Sequence, residues 1–522
     1  MDTTSGGAGS YAGMKVTIMG LGRNGGGVGS AGYLALRGAE CTVTDMGDEK
    51  TLASSIEKLE SLAGPHRPFR YVLGRHEMED FTGADLVIKN PAVKPHSPYL
   101  AAARRVETDI SLFLAASPAR LIAVTGSKGK SSVSSAIHWV LEKARQGGGA
   151  EEKPARGRNL SKDGDPPSGG PLLPGKAYLG GNITVSPLSF LDKLGEEDDA
   201  VLELSSWQLG DLRGRKHPDH GRPLLKPRVA VLTAIMRDHQ DRYGSMEPYV
   251  EDKRVIYRGQ DRGDVTVAGA DDDWGRGFLA ESPGRPLPYS AGPLPPGTAG
   301  GWIDGGLGAG LARPSGGGDG PAVEVVPPNP LVPGGHQKKN LLAAALALLD
   351  LGLPAPFIRK SLGNFPGIEH RLEFFHEKKG VRFYNDTAAT VPEAAAAAVE
   401  TLTGGESPSG AAAPPLILVT GGTDKELDFS PLVRAAAKAA GVVLLAGSGS
   451  GKLIPLLNEA GIPYRGPCDD IDTAAGTALE LAEKAARGGG AAVVLSPGCA
   501  SFDMFRDEFD RGRLWKAAVI GR

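Results

Sequence analysis

The sequence predicts a three-domain α/β protein built on largely parallel sheets, and three observations carry that expectation. At 522 residues the chain is long enough for about three domains. Apolar runs of strand length alternate with alanine-rich stretches of helical period, the pattern of a parallel sheet covered by helices. Two of the runs open directly into glycine-rich turns, Gly20-Leu21-Gly22-Arg23-Asn24-Gly25 and Gly126-Ser127-Lys128-Gly129-Lys130-Ser131.

The first segment, about 14–117, begins with a β-branched strand over 14–20. The glycine turn follows, then an Ala/Leu helix near 27–37 and a second strand over 40–45 that ends on Asp45. Glycines at a strand-to-helix turn, with an acid about 20 residues on, form the fingerprint of a Rossmann-like dinucleotide site. A nicotinamide cofactor fits it, as does any other nucleotide or a plain tight turn, because the pattern names a shape before a ligand.

The second segment, about 118–367, starts with the strand 121–124 and the second glycine turn. Its backbone N–H groups can close on an anion, and the helix over about 131–145 points its positive end at the same place. Lys130 is placed for terminal phosphates and the Ser131 hydroxyl for Mg²⁺, as in a P-loop ATPase. The first glycine of the full pattern is missing, so this is a shortened variant, and taken alone it also fits an ordinary glycine turn. Further strands at 200–204 and 228–232 put Glu203 and the Asp238-His239 pair near strand ends, where open parallel sheets bind ligands. Glu203 supplies a hard oxygen for Mg²⁺. Singly, Glu203 also reads as a solvated strand-end charge and His239 as a capping histidine.

The third segment, about 368–522, is again Rossmann-like. Strands are expected at 381–385, 416–421, 442–446 and 492–496, with helices near 392–401, 430–439 and 473–487. The small-residue turns at 421–425 and 496–501 suit a carboxylate or phosphate held on backbone N–H groups, or are simple connections.

Composition narrows the function. A net charge of −3 gives no footprint for nucleic acid or an anionic membrane. No apolar stretch reaches transmembrane length. Cys41, Cys468 and Cys499 are scattered, without metal or disulfide spacing, which suits a reducing cytoplasm. The polar residues Met1 to Gly13 lack the regions of a signal peptide and read as a frayed tail. Segments 146–176, 280–321 and 404–415, broken by Gly and Pro, read as surface loops or disordered insertions outside the core.

An ordered set of motifs then carries a resemblance. It comprises Gly20-Leu21-Gly22, Thr125 to Ser131, Gly180-Gly181-Asn182-Ile183, and Leu202-Glu203-Leu204-Ser205-Ser206-Trp207-Gln208-Leu209. Asp238-His239-Gln240-Asp241-Arg242-Tyr243, Gly335-His336 with Asn340, His370-Arg371 and Asn385-Asp386-Thr387 follow. Gly421-Gly422 with Lys425 to Ser430, and Leu495 to Phe502, complete it. The chain resembles the Mur ligases, ATP-dependent amide-bond formers of peptidoglycan synthesis, over nearly its whole length.

The resemblance implies a reaction in which ATP phosphorylates the carboxylate of UDP-N-acetylmuramoyl-L-alanine and the amine of D-glutamate displaces the phosphate. It implies that Gly22, Arg23, Asn24 and Asp45 hold the uridine diphosphate part in place of a nicotinamide cofactor. Gly126, Ser127, Lys128, Gly129, Lys130, Ser131 and Ser132 would hold the ATP phosphates. Ser131 and Glu203 would ligate one Mg²⁺, His239 and a carbamylated Lys253 a second, and Asn182 would orient a substrate phosphate. Lys253 by itself reads as an exposed helix lysine. The resemblance further implies that Asn340, His370, Arg371 and Asp386 face adenosine and ribose. Thr390, Lys425, Ser501, Phe502 and Phe509 would receive glutamate.

It also implies a cytoplasmic monomer whose partners are small molecules. Three places depart from the family pattern: Ala388 where a lysine is usual, Gln337 after His336, and Asn90-Pro91-Ala92-Val93 for Ser-Pro-Gly-Ile. A relative that adds L-glutamate or another amino acid is the nearest rival. An NAD-dependent oxidoreductase leaves the phosphate turn unexplained, and a non-catalytic scaffold would lack Lys130, Glu203 or His239.

Overall fold

Each apolar run becomes a strand that stops where a glycine or polar turn removes its ladder partners. The computed structural model describes residues 11–22, 25–63, 69–146, 171–183, 185–306, 308–313, 321–328, 331–404, 413–486, 489–502 and 504–522. Arg23, Asn24, most of segment 146–176 and 405–412 of the third glycine-rich patch lie outside the described residues.

The first sheet holds β1 (Lys15–Met19), β2 (Glu40–Asp45), β3 (Arg70–Leu73), β4 (Leu86–Lys89) and β5 (Val106–Glu107), in the order β3-β2-β1-β4-β5. Every pairing in it is parallel. The second holds β6 (Arg120–Thr125), β7 (Ala177–Gly181), β8 (Asp199–Glu203), β9 (Val229–Leu232), β10 (Val265–Gly269), β11 (Arg285–Ser290), β12 (Gly300–Ile303), β13 (Gly310–Arg313) and β14 (Val323–Val326). Its order is β14-β13-β12-β11-β10-β9-β6-β8-β7. The third holds β15 (Glu373–Lys378), β16 (Val381–Asn385), β17 (Leu416–Gly421), β18 (Gly441–Leu445), β19 (Tyr464–Cys468) and β20 (Ala491–Leu495). Its order is β15-β16-β20-β17-β18-β19, with only β15 antiparallel to its neighbour.

These orders decide where ligands can bind. In an open α/β sheet the crevice lies beyond the carboxyl ends of strands where the winding reverses. The reversals fall at β1 beside β4, at β6 between β9 and β8, and at β20 between β16 and β17. Those strands lead into the Gly20, Gly126 and Ser496 turns.

The chain forms two compact units, one of residues 1–302, 312–323 and 342–358, the other of 303–311, 324–341 and 359–522. In the first, a continuous core runs from Val16, Ile18 and Leu34 through Phe113 and Phe190 to Leu202, Tyr249 and Ile256. In the second, apolar side chains cover both faces of the third sheet, Val493 and Trp515 on one and Val494 and Leu432 on the other. Cys41, Cys468 and Cys499 are free and buried. Burial pushes the thiols of Cys41 and Cys499 up to about 12. Among the described residues no helix is long and apolar enough to cross a membrane.

Two expectations are corrected. Segment 280–321 is not an excluded loop: β11 extends the sheet, with Leu287 and Tyr289 in the interior. Its prolines are tolerated because alternate residues of a strand bond to opposite neighbours. Arg285 donates to Asp264 O and Tyr289 O accepts from Ala270, so odd positions face β10. Pro286 and Pro288 turn their missing N–H toward β12, whose pairing begins only at Tyr289 with Gly301. Residues 11–13 of the expected tail are not frayed. Tyr11 packs edge-on to Tyr33 at 6.4 Å and Gly13 donates to Gly38 O at 3.0 Å, so residues 11–13 are docked.

Leu287→Ala is expected to lower unfolding stability by about 2–5 kcal/mol in a denaturant titration, as for a buried leucine. A change under about 0.5 kcal/mol would return the segment to the surface.

Candidate active site

The second glycine turn is set by backbone geometry. Gly126 has φ +146, and a Cβ there would collide with the Thr233 hydroxyl. Thr233 Oγ1 donates to Lys128 O at 2.6 Å, and Ser127 N–H donates to Ala234 O at 2.8 Å, so the segment after β9 holds the turn. Ser127 Oγ lies 2.8 Å from Tyr249 OH and accepts from Met236 N–H at 2.9 Å. Gly129, at φ 91, starts the helix Lys130–Arg145, and no side chain caps that end. The first-turn N–H groups of an uncapped helix N-terminus suit an anion. Lys128 is exposed, whereas Ser127 and Ser132 are buried.

Two lysines meet at this turn. Lys130 Nζ donates to Gly126 O at 3.1 Å and Ser127 O at 3.2 Å, and Lys253 Nζ donates to the same Gly126 O at 2.8 Å. Lys253 is 1% exposed. It shares the buried stripe of the helix Met246–Arg258 with Tyr249, Val250, Ile256 and Tyr257, and its ammonium lies 4.5 Å from the Tyr249 ring centre. The exposed-lysine reading is therefore overturned, and the sequence signal was that stripe. Burial, reinforced by the Lys130 charge, draws the Lys253 amine down to about 7, against Asp238, Asp252 and Glu203.

Glu203, at the end of β8, is 2% exposed. Its Oε1 accepts from Asn182 Nδ2 at 2.9 Å, and its buried Oε2 has no hydrogen-bond partner. An unpartnered buried carboxylate oxygen beside a phosphate turn suits a hard cation. Asn182 itself is exposed and is held to β8 by its N–H on Glu203 O at 2.8 Å. Among the described residues no three His, Cys, Asp or Glu side chains form a metal cluster, so ions here would draw ligands from phosphate, water and the Ser131 hydroxyl.

His239 sits at φ 50, an uncommon conformation for histidine. Its ring packs on Trp207 at 5.0 Å and Tyr249 at 6.2 Å. Trp207 is fixed by a capping box, Ser205 Oγ accepting from Gln208 N–H and Gln208 Oε1 from Ser205 N–H. Arg242 stacks 4.4 Å over the Trp207 ring and donates to Pro91 O at 3.4 Å, which ties the substituted 90–93 turn to this cluster.

At the first sheet's reversal, Gly20 has φ 93, and a Cβ there would lie 2.8 Å from Asn90 Cβ. Asp45 accepts from Gly22 N–H at 3.0 Å and Gly47 N–H at 2.8 Å, so it braces the glycine turn.

In the second unit Asp386, Lys425 and Ser501 lie on the turns that follow β16, β17 and β20, whereas Asn340 lies on the helix Gly335–Asp350. Asp386 accepts from Leu372 N–H at 3.0 Å and Ser496 Oγ at 2.6 Å, and burial pushes its carboxyl up to about 6. His370 Nδ1 lies 2.9 Å from Asn385 Nδ2, and its ring lies 5.4 Å from Phe509. Burial lowers its pKa. Arg371 is exposed, and Asn340 donates to Gln337 Oε1 at 3.1 Å. Thr423 and Ala500 exchange hydrogen bonds at 3.1 and 2.9 Å, which sets the Lys425 turn beside Ser501. Gly498 N–H donates to Ala389 O at 2.8 Å and brings the Thr390 turn alongside. Ser501 is buried, while Lys425, Phe502 and Phe509 are exposed.

Arg511, which sequence reasoning missed, is 0% exposed among these turns. Its signal was its place on the buried stripe of the helix Glu508–Ile520 with Trp515, Ala518 and Val519.

A glycine turn at an uncapped helix N-terminus, a buried carboxylate with one unpartnered oxygen and two lysines converging on Gly126 O define a nucleotide-dependent α/β enzyme. Comparison makes this specific. Residues 124–290 match the Mur ligase middle domain, and residues 370–499 match the Mur ligase, glutamate ligase domain. The UDP-N-acetylmuramoylalanine–D-glutamate ligase of Treponema pallidum is 39% identical over an alignment of 573 positions, gaps included, that covers 97% of each chain. The protein of the same name from Roseiflexus sp. is 34% identical, covering 97% of this chain and 98% of that one. In fold, the chain is similar to the UDP-N-acetylmuramate-alanine ligase of Thermotoga maritima, with a TM-score of 0.51 at 18% identity, covering 97% of this chain and 99% of that one. The chain belongs to the Mur ligase family, the ATP-dependent amide-bond ligases of peptidoglycan synthesis.

Lys130→Ala is expected to reduce ATP-dependent turnover by about 10²–10³, equivalent to roughly 3–4 kcal/mol of transition-state stabilisation. Its melting temperature should be unchanged. Wild-type turnover in this variant would remove Lys130 from the phosphate site.

Proposed function

We propose that this enzyme joins D-glutamate to the L-alanine carboxylate of UDP-N-acetylmuramoyl-L-alanine, through an acyl phosphate, at the expense of ATP. The observation that carries the reading is the meeting of Lys130, Lys253 and Glu203 around the Gly126 turn. The substrates are those in the names of the relatives that align over nearly the whole chain. The reading assigns 14–117 as a UDP-substrate domain, 118–367 as an ATP-binding domain and 368–522 as a glutamate-binding domain, and one sheet lies in each range.

In the first step the substrate carboxylate attacks the γ-phosphorus of ATP and ADP leaves. Gly126 to Ser132 hold the phosphates on backbone N–H groups, and Lys130 offsets the charge on the leaving oxygen. Mg²⁺ held by Ser131 and Glu203, and a second ion held by His239 and carbamylated Lys253, would neutralise the remaining phosphate charge. Asn182, anchored to Glu203, orients the substrate phosphate. Gly22, Arg23, Asn24 and Asp45 hold the uridine diphosphate end. Asn340, His370, Arg371 and Asp386 serve the adenosine. In the second step the glutamate amine attacks the acyl carbon and phosphate departs from the tetrahedral intermediate. Thr390, Lys425, Ser501, Phe502 and Phe509 hold the amino acid, Lys425 pairing with a carboxylate. No side-chain nucleophile is needed, so positioning and charge neutralisation supply the catalysis.

Lys253 becomes an oxygen ligand by carbamylation. Its neutral amine attacks the carbon of CO₂ and loses one proton, giving a carbamate. Only the neutral amine reacts, and the pKa drawn down to about 7 leaves much of it neutral near that pH. Acidification below about 7 protonates the amine and removes the reactive form, so re-activation by bicarbonate should fade as pH falls through that value.

Phosphate release with UDP-N-acetylmuramoyl-L-alanine should require ATP and D-glutamate together. Equal release with L-glutamate would overturn the choice of enantiomer, and release with neither would overturn the ligase reading. Lys253→Ala should be nearly inactive and regain part of its activity with formate or acetate, which can fill the carbamate position. Full activity without added acid would end the carbamate assignment.

A further inference from the structure

We infer that Arg511 is the positioning residue of the amino-acid acceptor site, fixing the two turns that present Thr390 and Ser501. This rests on the reading above that those residues receive glutamate. The Arg511 guanidinium is fully enclosed yet meets no carboxylate within ion-pair distance among the described residues. Nε donates to Thr387 Oγ1 at 2.9 Å and one terminal nitrogen to Thr387 O at 3.0 Å. The remaining bonds reach Cys499 O at 3.3 Å and Ala500 O at 3.2 Å. The ionisable groups that act on it most are the Cys499 thiol and Glu508.

A buried cation hydrogen-bonded only to neutral oxygens is costly, and packing alone would be served as well by an apolar side chain. What the guanidinium does that an apolar group cannot is aim carbonyls. In a trans peptide the C=O and the following N–H point in opposite directions. With Ala500 C=O held by Arg511 together with the Thr423 N–H, the Ser501 N–H is turned away from Arg511, and no hydrogen bond engages that N–H among the described residues. With Thr387 C=O drawn inward, the Ala388 N–H is directed onto His370 O at 3.0 Å, which fixes the turn leading to Thr390. The same peptide pinning sends the Ala500 N–H to Thr423 O, two residues before Lys425. The Ser501 N–H dipole, with the Arg511 charge behind it and no carboxylate hydrogen-bonded to that charge, favours an anion. The ligand chemistry is the carboxylate of a dicarboxylic amino acid.

Arg511→Met removes the charge at similar length, and Arg511→Lys keeps the charge but cannot bridge both turns. Phosphate release is followed while glutamate, ATP and the UDP substrate are varied in turn, with a melting curve for each protein. Arg511→Met should raise the glutamate KM about 10–100-fold, the effect of losing a charged hydrogen-bonded group, and leave the other two KM values within about twofold. Arg511→Lys should lie between Met and wild type. A glutamate KM unchanged in either folded variant overturns the inference, as does an equal rise in all three KM values. If Arg511→Met does not melt cooperatively, the glutamate KM of Arg511→Lys decides alone. A wild-type protein that releases no phosphate with glutamate overturns the underlying reading instead.

Discussion

Two lysine ammonium groups converge on the carbonyl oxygen of Gly126, and the site can form only because of where that oxygen points. Its direction follows from a backbone angle that glycine tolerates and from a Thr233 hydroxyl that leaves no space for a side chain. Two positive charges on one acceptor repel each other, and the deeper one relieves the conflict by giving up its proton readily. The electrostatic arrangement that crowds Lys253 therefore also raises the share of its neutral, nucleophilic amine. Glu203 on the neighbouring strand, with one oxygen tied to Asn182 and the other unpartnered, supplies negative charge for the same region.

The two units solve a related problem with different materials. In the first, the ligand turn is a glycine loop braced from the strand beside it. In the second, three separate turns are laced together by backbone bonds at the ends of adjacent strands. Each arrangement puts a basic side chain beneath the turn it supports, Lys253 under the Gly126 loop and Arg511 under the 387 and 499–500 turns. A charged residue in an interior helix stripe must be engaged by polar atoms or be discharged, and both outcomes occur here.

That rule also explains what could be read from the chain in advance. The strands that end in glycine turns were visible because period, length and punctuation agree, and β2, β16 and β17 begin and end at the expected residues. Glu203 and the phosphate loop were visible as strand-end chemistry. β11 was not, because two prolines in six residues argue against a strand unless the bonding parity is known. Lys253 was placed by resemblance while its own sequence context was read as surface. Its spacing from Tyr249, Val250, Ile256 and Tyr257 held the opposite message. Arg511 bears the same relation to Trp515 and Ala518. In both helices a basic residue interrupts an apolar stripe, and tertiary contacts decide whether that is a defect or a device.

The buried thiols carry a practical consequence. Alkylating reagents attack the thiolate, and a thiol held near 12 is ionised to roughly one part in ten thousand at pH 8. Cys41 and Cys499 are therefore silent while their surroundings stay closed. Each belongs to a different compact unit, so the order in which the two become modified as denaturant is raised records which half of the molecule opens first, without any introduced label.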